Sequence, residues 1–384
     1  MPVGYLVSVL LAAVPTLLSL APFRRPSVLA RWSWALTMVV NEQPFVLLAW
    51  LVLSTALLVV QGDLGPSGSW VAVALAALTA LGLLELVRRS LQARRVLDEA
   101  LREGVGRRLS ARLPWAAVLL APFGVAGRAV ERTNDIPYTD GGRRQQLDVY
   151  RSRAGASGGP VMIYLHSGGF TGGSKSKEGR LLLNRLATDG WLGISADYRL
   201  RPEAQFPDQL IDLKRVIAWA REHAARHGAD ASRVFVAGGS AGAHLSVMAA
   251  LTQGDASFQP GFEDADTSVA GAIPLYGWFG TVYDDDAVPS TPMAYDARSA
   301  APVMVVHGSH DTLVGVEPAR RLVAKLRAES QAPVLYAELP GAQHTFDLFR
   351  SIRVELVVAA VREFTASMPA TPGAAPPPSA DRSH

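Results

Sequence analysis

The run Val234-Phe-Val-Ala-Gly-Gly-Ser-Ala-Gly-Ala-His244 turns an apolar strand-like segment into a helical one through Gly238-Gly239-Ser240-Ala241-Gly242. This is a G-x-S-x-G turn, and it constrains the fold more than any other feature of the chain. So abrupt a passage forces the serine into a strained backbone geometry and stands its hydroxyl above a sheet. It also needs small flanking residues for the strand and helix to pack that closely. The helix start points backbone N–H groups at the place where an oxyanion would form. Five residues alone also suit a turn that merely has to be tight, so the surroundings decide.

Upstream, Val161-Met-Ile-Tyr-Leu165 has the continuous apolar character of a buried strand and ends in His166-Ser167-Gly168-Gly169-Phe170. Glycines here let backbone donors approach a carbonyl oxygen without side-chain obstruction. Downstream, Val303-Met-Val-Val306 leads into His307-Gly308-Ser309-His310-Asp311, and Leu335-Tyr-Ala-Glu-Leu339 leads into Pro340-Gly341-Ala342-Gln343-His344. Both Asp311 and His344 thus sit on loops that follow a strand. The chain order Ser, Asp, His is that of α/β-hydrolases.

Residues from about 131 to 366 resemble the α/β-hydrolase fold, close to hormone-sensitive-lipase-type esterases with an HGG-type oxyanion motif. Asp197-Tyr-Arg-Leu-Arg-Pro-Glu203, Phe258-Gln-Pro-Gly-Phe-Glu263 and Gly341-Ala-Gln-His344 are similar to bacterial, especially actinobacterial, carboxylesterases. The resemblance implies Ser240 as nucleophile, His344 as base and Asp311 as its orienter, with the N–H groups of Gly168, Gly169 and Ala241 as oxyanion donors. It implies no cofactor and no metal. Two departures stand out: Ser167 takes the place of the motif's usual second glycine, and Gly239 stands before the serine where many relatives carry an acid.

Other residues compete for these roles. Of the 8 histidines, His223 and His227 share a predicted helix at i, i+4, a metal-pair spacing, but lack a nearby acid ligand set and read as surface residues. His166 would shape its loop by hydrogen bonding. His244, one helical turn beyond Ser240, reads as a packing residue, because side chains on a helix lean toward its N-terminus without reaching the elbow tip well. His307 and His310 flank Gly308 and Ser309 on the Asp311 loop. Asp284, Asp285 and Asp286 compete with Asp311, yet burying three adjacent acids costs several kcal/mol, so they read as a solvated loop.

Strand and helix runs alternate from residue 131 onward, the βαβ pattern of a mostly parallel, doubly wound sheet; Gly141-Gly142 centres a leading hairpin. The link between Tyr276 and Pro302 is short and proline-punctuated. It leaves the acyl site either open and shallow or capped from elsewhere in the chain.

The N-terminal part is of another kind. The chain has 384 residues, 49% of them hydrophobic and 18% charged, with mean hydropathy +0.17, too apolar for a soluble domain alone. Residues 4–22, 45–60 and 70–87 are three apolar runs of membrane-crossing length, with Trp32, Trp34, Trp50 and Trp70 at or near run ends. The first lacks the basic lead of a signal peptide. Arg24, Arg25 and Arg31 follow span one and Arg88, Arg89, Arg94 and Arg95 follow span three, whereas the loop between spans two and three has no arginine. The positive-inside rule then puts the N-terminus outside and the hydrolase in the cytoplasm of a multi-pass membrane protein. Residues 92–104 alternate acid and base as an exposed helix does. Residues 113–123 either lie in the membrane interface or pack on the hydrolase as an apolar cover.

The expected organisation is a membrane domain over 1–92, a connector or cap over 93–130, an α/β-hydrolase domain over 131–368 and a disordered tail over 369–384. With Cys 0, disulfides, a thiol nucleophile and cysteine metal sites are excluded. Basic residues cluster beside the apolar runs, not in an aromatic-lined groove, so no nucleic-acid footprint is read. The expected partners are a small-molecule or lipid ester and the bilayer; oligomeric state stays open. The expected activity is hydrolysis of short-to-medium acyl esters. An amidase or formamidase on the same fold is the nearest rival. A non-catalytic membrane interaction protein would lack a triad residue, and a transporter would carry polar or broken helices at mid-membrane.

Overall fold

The computed structural model describes residues 3–65, 69–124, 129–155, 158–282 and 288–370. Asp284, Asp285 and Asp286 and the expected tail beyond residue 370 lie outside the described residues. The chain opens with the helices α1 (Val3–Leu20), α2 (Ser27–Glu42), α3 (Pro44–Val60), α4 (Ser69–Val105) and the short α5 (Trp115–Leu120). Strands and helices then alternate: β1 (Val130–Pro137), β2 (Gln146–Ser152), β3 (Gly159–Leu165), α6 (Arg180–Thr188), β4 (Leu192–Ala196), α7 (Asp208–His223), β5 (Ala229–Gly239) and α8 (Ala241–Leu251). The chain continues through β6 (Gly271–Leu275), β7 (Val303–Gly308), α9 (Glu317–Glu329), β8 (Val334–Leu339) and α10 (Ile352–Ala366).

The eight strands form one sheet in the order β1-β2-β4-β3-β5-β6-β7-β8. The β1–β2 and β2–β4 pairings are antiparallel and all the others parallel. Central strands such as β3 are buried on both faces, which is why they read as unbroken apolar runs. On the edge strand β8, buried residues alternate with half-buried ones, as expected of a strand covered on one side. Apolar layers flank the sheet, one including residues of α7, α8 and α9, the other residues of α6, α10 and α4. Register aligns the carboxyl ends of the parallel strands: Leu165 pairs with Gly238, Gly239 with Leu275, and Gly308 with Leu339. All the loops singled out by sequence therefore open on one edge.

Among the described residues, α1 and α4 are long and apolar enough to cross a membrane, and α2 with α3 passes the same test only as a pair bent by 79°. The bundle is apolar on its outside, where Leu11, Leu53, Val60, Leu78 and Leu81 are exposed, and buries Val9, Ala12, Leu51, Leu58, Ala76 and Leu83. Outward leucine and valine in such number suit a lipid surround, not water. Small residues set the helix approach: a Cβ on Gly82 would lie 2.9 Å from Thr16 Cγ2.

One expectation needs correction. The third apolar run and the exposed helix over 92–104 are one helix of 37 residues, about 55 Å long at 1.5 Å per residue. Its second part is amphipathic: Arg95 and Glu99 pair at 2.7 Å on the solvent face, while Ala93, Leu97, Ala100 and Leu101 are buried in the hydrolase core. The charges that suggested exposure occupy one face only. Residues 113–123 pack on the hydrolase, one of the two expected placements. Val118 is buried, the Phe123 ring meets Phe349 at 5.6 Å and Pro122 O accepts from Arg350 N at 2.9 Å, while Leu119 and Leu120 point outward.

Candidate active site

Ser240 stands at the junction of β5 and α8 with φ 51° and ψ −108°, a conformation costly for a residue with a Cβ and held here by its surroundings. A Cβ on Gly242 would fall 2.1 Å from Leu165 O, so only glycine lets α8 start this close to β3. The elbow is tied to the next strand by Ser240 N donating to Leu275 O at 3.0 Å. Ala241, the first residue of α8, has no helical acceptor for its N–H.

Asp311 and His344, 33 residues apart in the chain, meet across β7 and β8: His344 Nδ1 lies 2.6 Å from Asp311 Oδ2. The other oxygen, Oδ1, accepts from Leu313 N at 2.9 Å and Val314 N at 2.7 Å, which fixes the carboxylate plane. His307, which the sequence left as a loop neighbour, places Nε2 2.9 Å from Val314 O and 3.4 Å from Asp311 Oδ2. Burial alone would raise the Asp311 carboxyl. The charge of His344 and the bonds to His307 and His344 outweigh it and hold the pKa down at about 2. An ionised acceptor on Nδ1 selects the tautomer that leaves Nε2 of His344 free to take a proton.

The loop after β3 is bent by Gly168 at φ 116°, Gly169 at φ 59° and Phe170 at φ 62°. His166 stacks on Tyr198 at 4.3 Å, and its Nδ1 lies 2.6 Å from Ser167 O. Burial lowers its pKa to about 4, so it is a neutral scaffold at physiological pH. Ser167 has a structural use for its side chain: its N and Oγ both donate to Glu178, each at 2.7 Å. A glycine at that position would supply only one of these bonds.

The second departure, Gly239, has a steric cause. A Cβ there would fall 2.3 Å from the hydroxyl of Tyr276. That hydroxyl donates to Asp347 Oδ1 at 2.5 Å, and Tyr164 donates to Asp347 Oδ2 at 2.9 Å. A half-buried acid thus stands near the nucleophile after all, delivered from the loop behind His344 and relayed by a tyrosine. Burial raises the Asp347 carboxyl, and the two tyrosine hydroxyls pull it back only in part. The Tyr276 ring also meets His344 edge-on at 4.8 Å. Sequence reasoning missed both residues, although the unusual glycine at 239 was a signal that something else fills its space.

The remaining described histidines are engaged elsewhere. His244 is buried, with Nδ1 2.9 Å from Trp278 O and its ring edge-on to Phe170 at 5.7 Å. His223 stacks on Trp219 at 4.4 Å, His227 tilts against the same ring, and His310 Nδ1 lies 3.2 Å from Ser19 O.

Comparison with known proteins finds relatives of the hydrolase part and of nearly the whole chain. A family model described as BD-FAE matches residues 147–281. The chain is 35% identical to the probable carboxylic ester hydrolase LipM of Mycobacterium tuberculosis, over 96% of this chain and 94% of that one. It is 36% identical to esterase LipQ of the same organism, over 62% of each. Among solved structures, a thermophilic esterase of Thermogutta terrifontis with butyrate bound superposes with TM-score 0.52 at 21% identity, covering 62% of this chain and 94% of that one. A truncated carbohydrate esterase from gut microbiota gives 0.56 at 17% identity, over 63% and 99%. These two likenesses speak to the fold alone.

Proposed function

The chain belongs to the hormone-sensitive-lipase-type bacterial carboxylesterases and hydrolyses carboxylic esters, and from that premise we propose that Ser240, His344 and Asp311 carry the reaction on short-to-medium acyl esters. Ser240 Oγ attacks the ester carbonyl while His344 Nε2 takes its proton. The N–H groups of Gly168, Gly169 and Ala241 receive the developing oxyanion. Collapse breaks the acyl–oxygen bond, and His344 returns the proton to the leaving alcohol. Water, deprotonated by the same imidazole, then attacks the acyl-enzyme, releases the acid and restores Ser240. Asp311 fixes the tautomer and stabilises the imidazolium. The observation that supports this best is the 2.6 Å contact between His344 and Asp311, whose second oxygen is saturated by backbone donors.

The short-to-medium acyl range is supported by the β6–β7 link, whose described residues form one short 3-10 turn, Pro292–Ala294. Turnover of p-nitrophenyl esters of graded length, beside matched anilides, tests both points on protein in detergent. Short and medium esters are expected to be cleaved and anilides hardly at all; equal or faster anilide turnover would make the protein an amidase. We further infer a multi-pass protein of the cell membrane, in contact with lipid, whose hydrolase faces the cytoplasm.

A further inference from the structure

We propose that Trp34, on α2 of the N-terminal helical region, is a positioning residue for His344, so that the helices complete the active site instead of merely anchoring it. The proposal rests on His344 being the base. The loop that carries His344 is strained directly behind it: Thr345, a β-branched residue, has φ 57°. Such a conformation persists only where neighbours over-determine it. The neighbours belong to the N-terminal region. The indole Nε1 of Trp34 donates to His344 O at 3.2 Å and to Thr345 Oγ1 at 3.1 Å, and Thr345 Oγ1 donates in turn to His344 O at 2.6 Å.

The same helix holds the start of that loop. Asn41 Nδ2 donates to Gly341 O at 2.9 Å. Arg353, fully buried, donates to Glu42 Oε1 at 2.8 Å, to Asn41 O at 2.9 Å and to Pro340 O at 3.0 Å. The Asp311 loop is tied to the same region by Arg24 Nη2 donating to Ser309 O and Thr312 Oγ1 donating to Ala30 O, each at 2.9 Å. Both loops of the proposed acid–base pair are therefore registered against α2 and the segment before it. An anchor requires none of these bonds, all of which end on backbone or side chains of the two reactive loops or on the arginine beside them.

The test uses the full-length protein in detergent and the p-nitrophenyl ester of a short acid. Trp34→Phe keeps an aromatic ring, though a smaller one, and removes the donor. It is expected to lower kcat about 10- to 100-fold, the range for a displaced reactive group, with KM within about twofold of wild type and thermal unfolding unchanged. Thr345→Val removes the acceptor and should give the same fall. Because the two variants share the Trp34–Thr345 bond, their combination should cost clearly less than the product of the two single losses. Trp32→Phe, exposed on the same helix, should keep wild-type kcat. Wild-type kcat in Trp34→Phe, a rise in KM alone, or additive losses in the double variant would overturn the proposal. If Trp34→Phe does not fold, Thr345→Val decides by itself, and full kcat in it is the overturning result. His344→Ala separates the two readings. Full turnover there removes the base assignment and this proposal with it, whereas an inactive His344→Ala beside a fully active Trp34→Phe removes only the positioning role.

Discussion

At the scale of single residues, Ser240→Ala and His344→Ala should each lower kcat by roughly 10³-fold or more, and the double variant should lose little beyond either, because such groups act as a unit. Steady-state turnover of one ester checks this; full activity of Ser240→Ala would end the assignment. Asp311 adds a pH signature. Its folded pKa of about 2 lies below the ordinary value of about 4. Its ionised form therefore stabilises the fold fully above about pH 4, and that contribution fades as pH falls toward about 2. The stability gap between wild type and Asp311→Asn, measured by urea unfolding in detergent, should narrow across that window. A gap that does not change with pH would contradict an ionised, paired Asp311. Gly239→Ala probes the steric account of the missing acid. The added Cβ meets the Tyr276 hydroxyl at 2.3 Å in a fully buried place, so overpacking should cost about 1–3 kcal/mol. Unchanged unfolding would show that Tyr276 does not exclude a side chain there.

At the scale of elements, the β-strands of the hydrolase were legible because two-sided burial in a parallel sheet writes itself as unbroken apolar runs, as in Val161–Leu165. Helix α4 was legible only in its first part. Over residues 92–104 the acid–base alternation is as prominent as the stripe of Ala93, Leu97, Ala100 and Leu101, and nothing local says that this narrow stripe meets a sheet. The structure puts Leu97 at 0% exposure within the hydrolase core. Leu97→Ala should therefore destabilise by about 2–5 kcal/mol, the cost of a core cavity, whereas a leucine on an exposed helix would cost far less. Chemical unfolding of the purified variant distinguishes the two. Helix α2 escaped sequence reasoning for a related reason: Ser33, Thr37, Asn41 and Glu42 form much of its buried face, because the surface it covers is a set of polar loops and the buried Arg353.

At the scale of the whole molecule, the hydrolase touches Arg24 just after α1 and Gln43 just before α3, through Ser309 O at 2.9 Å and Arg350 O at 2.5 Å. Both ends of α2 thus lie against the hydrolase. With Cys 0 in the chain, single cysteines report topology cleanly. Gln61→Cys should react with an impermeant maleimide on intact cells and Ala370→Cys only after lysis. The reverse pattern would turn the enzyme outward, toward envelope esters. What the sequence determined by itself was the class of fold, the apolar N-terminal region and the placing of Ser240, Asp311 and His344 after strands. Those signals are local, carried by turn chemistry, periodicity and hydropathy within a few residues. Tertiary structure alone decided that Tyr276, held by Asp347, fills the space at Gly239, that Glu178 anchors Ser167, and that α2 braces the loops of Asp311 and His344. These contacts join residues far apart in the chain, between polar side chains and backbone groups that carry no periodic pattern, so they exist only once the sheet has set its loops against the helices.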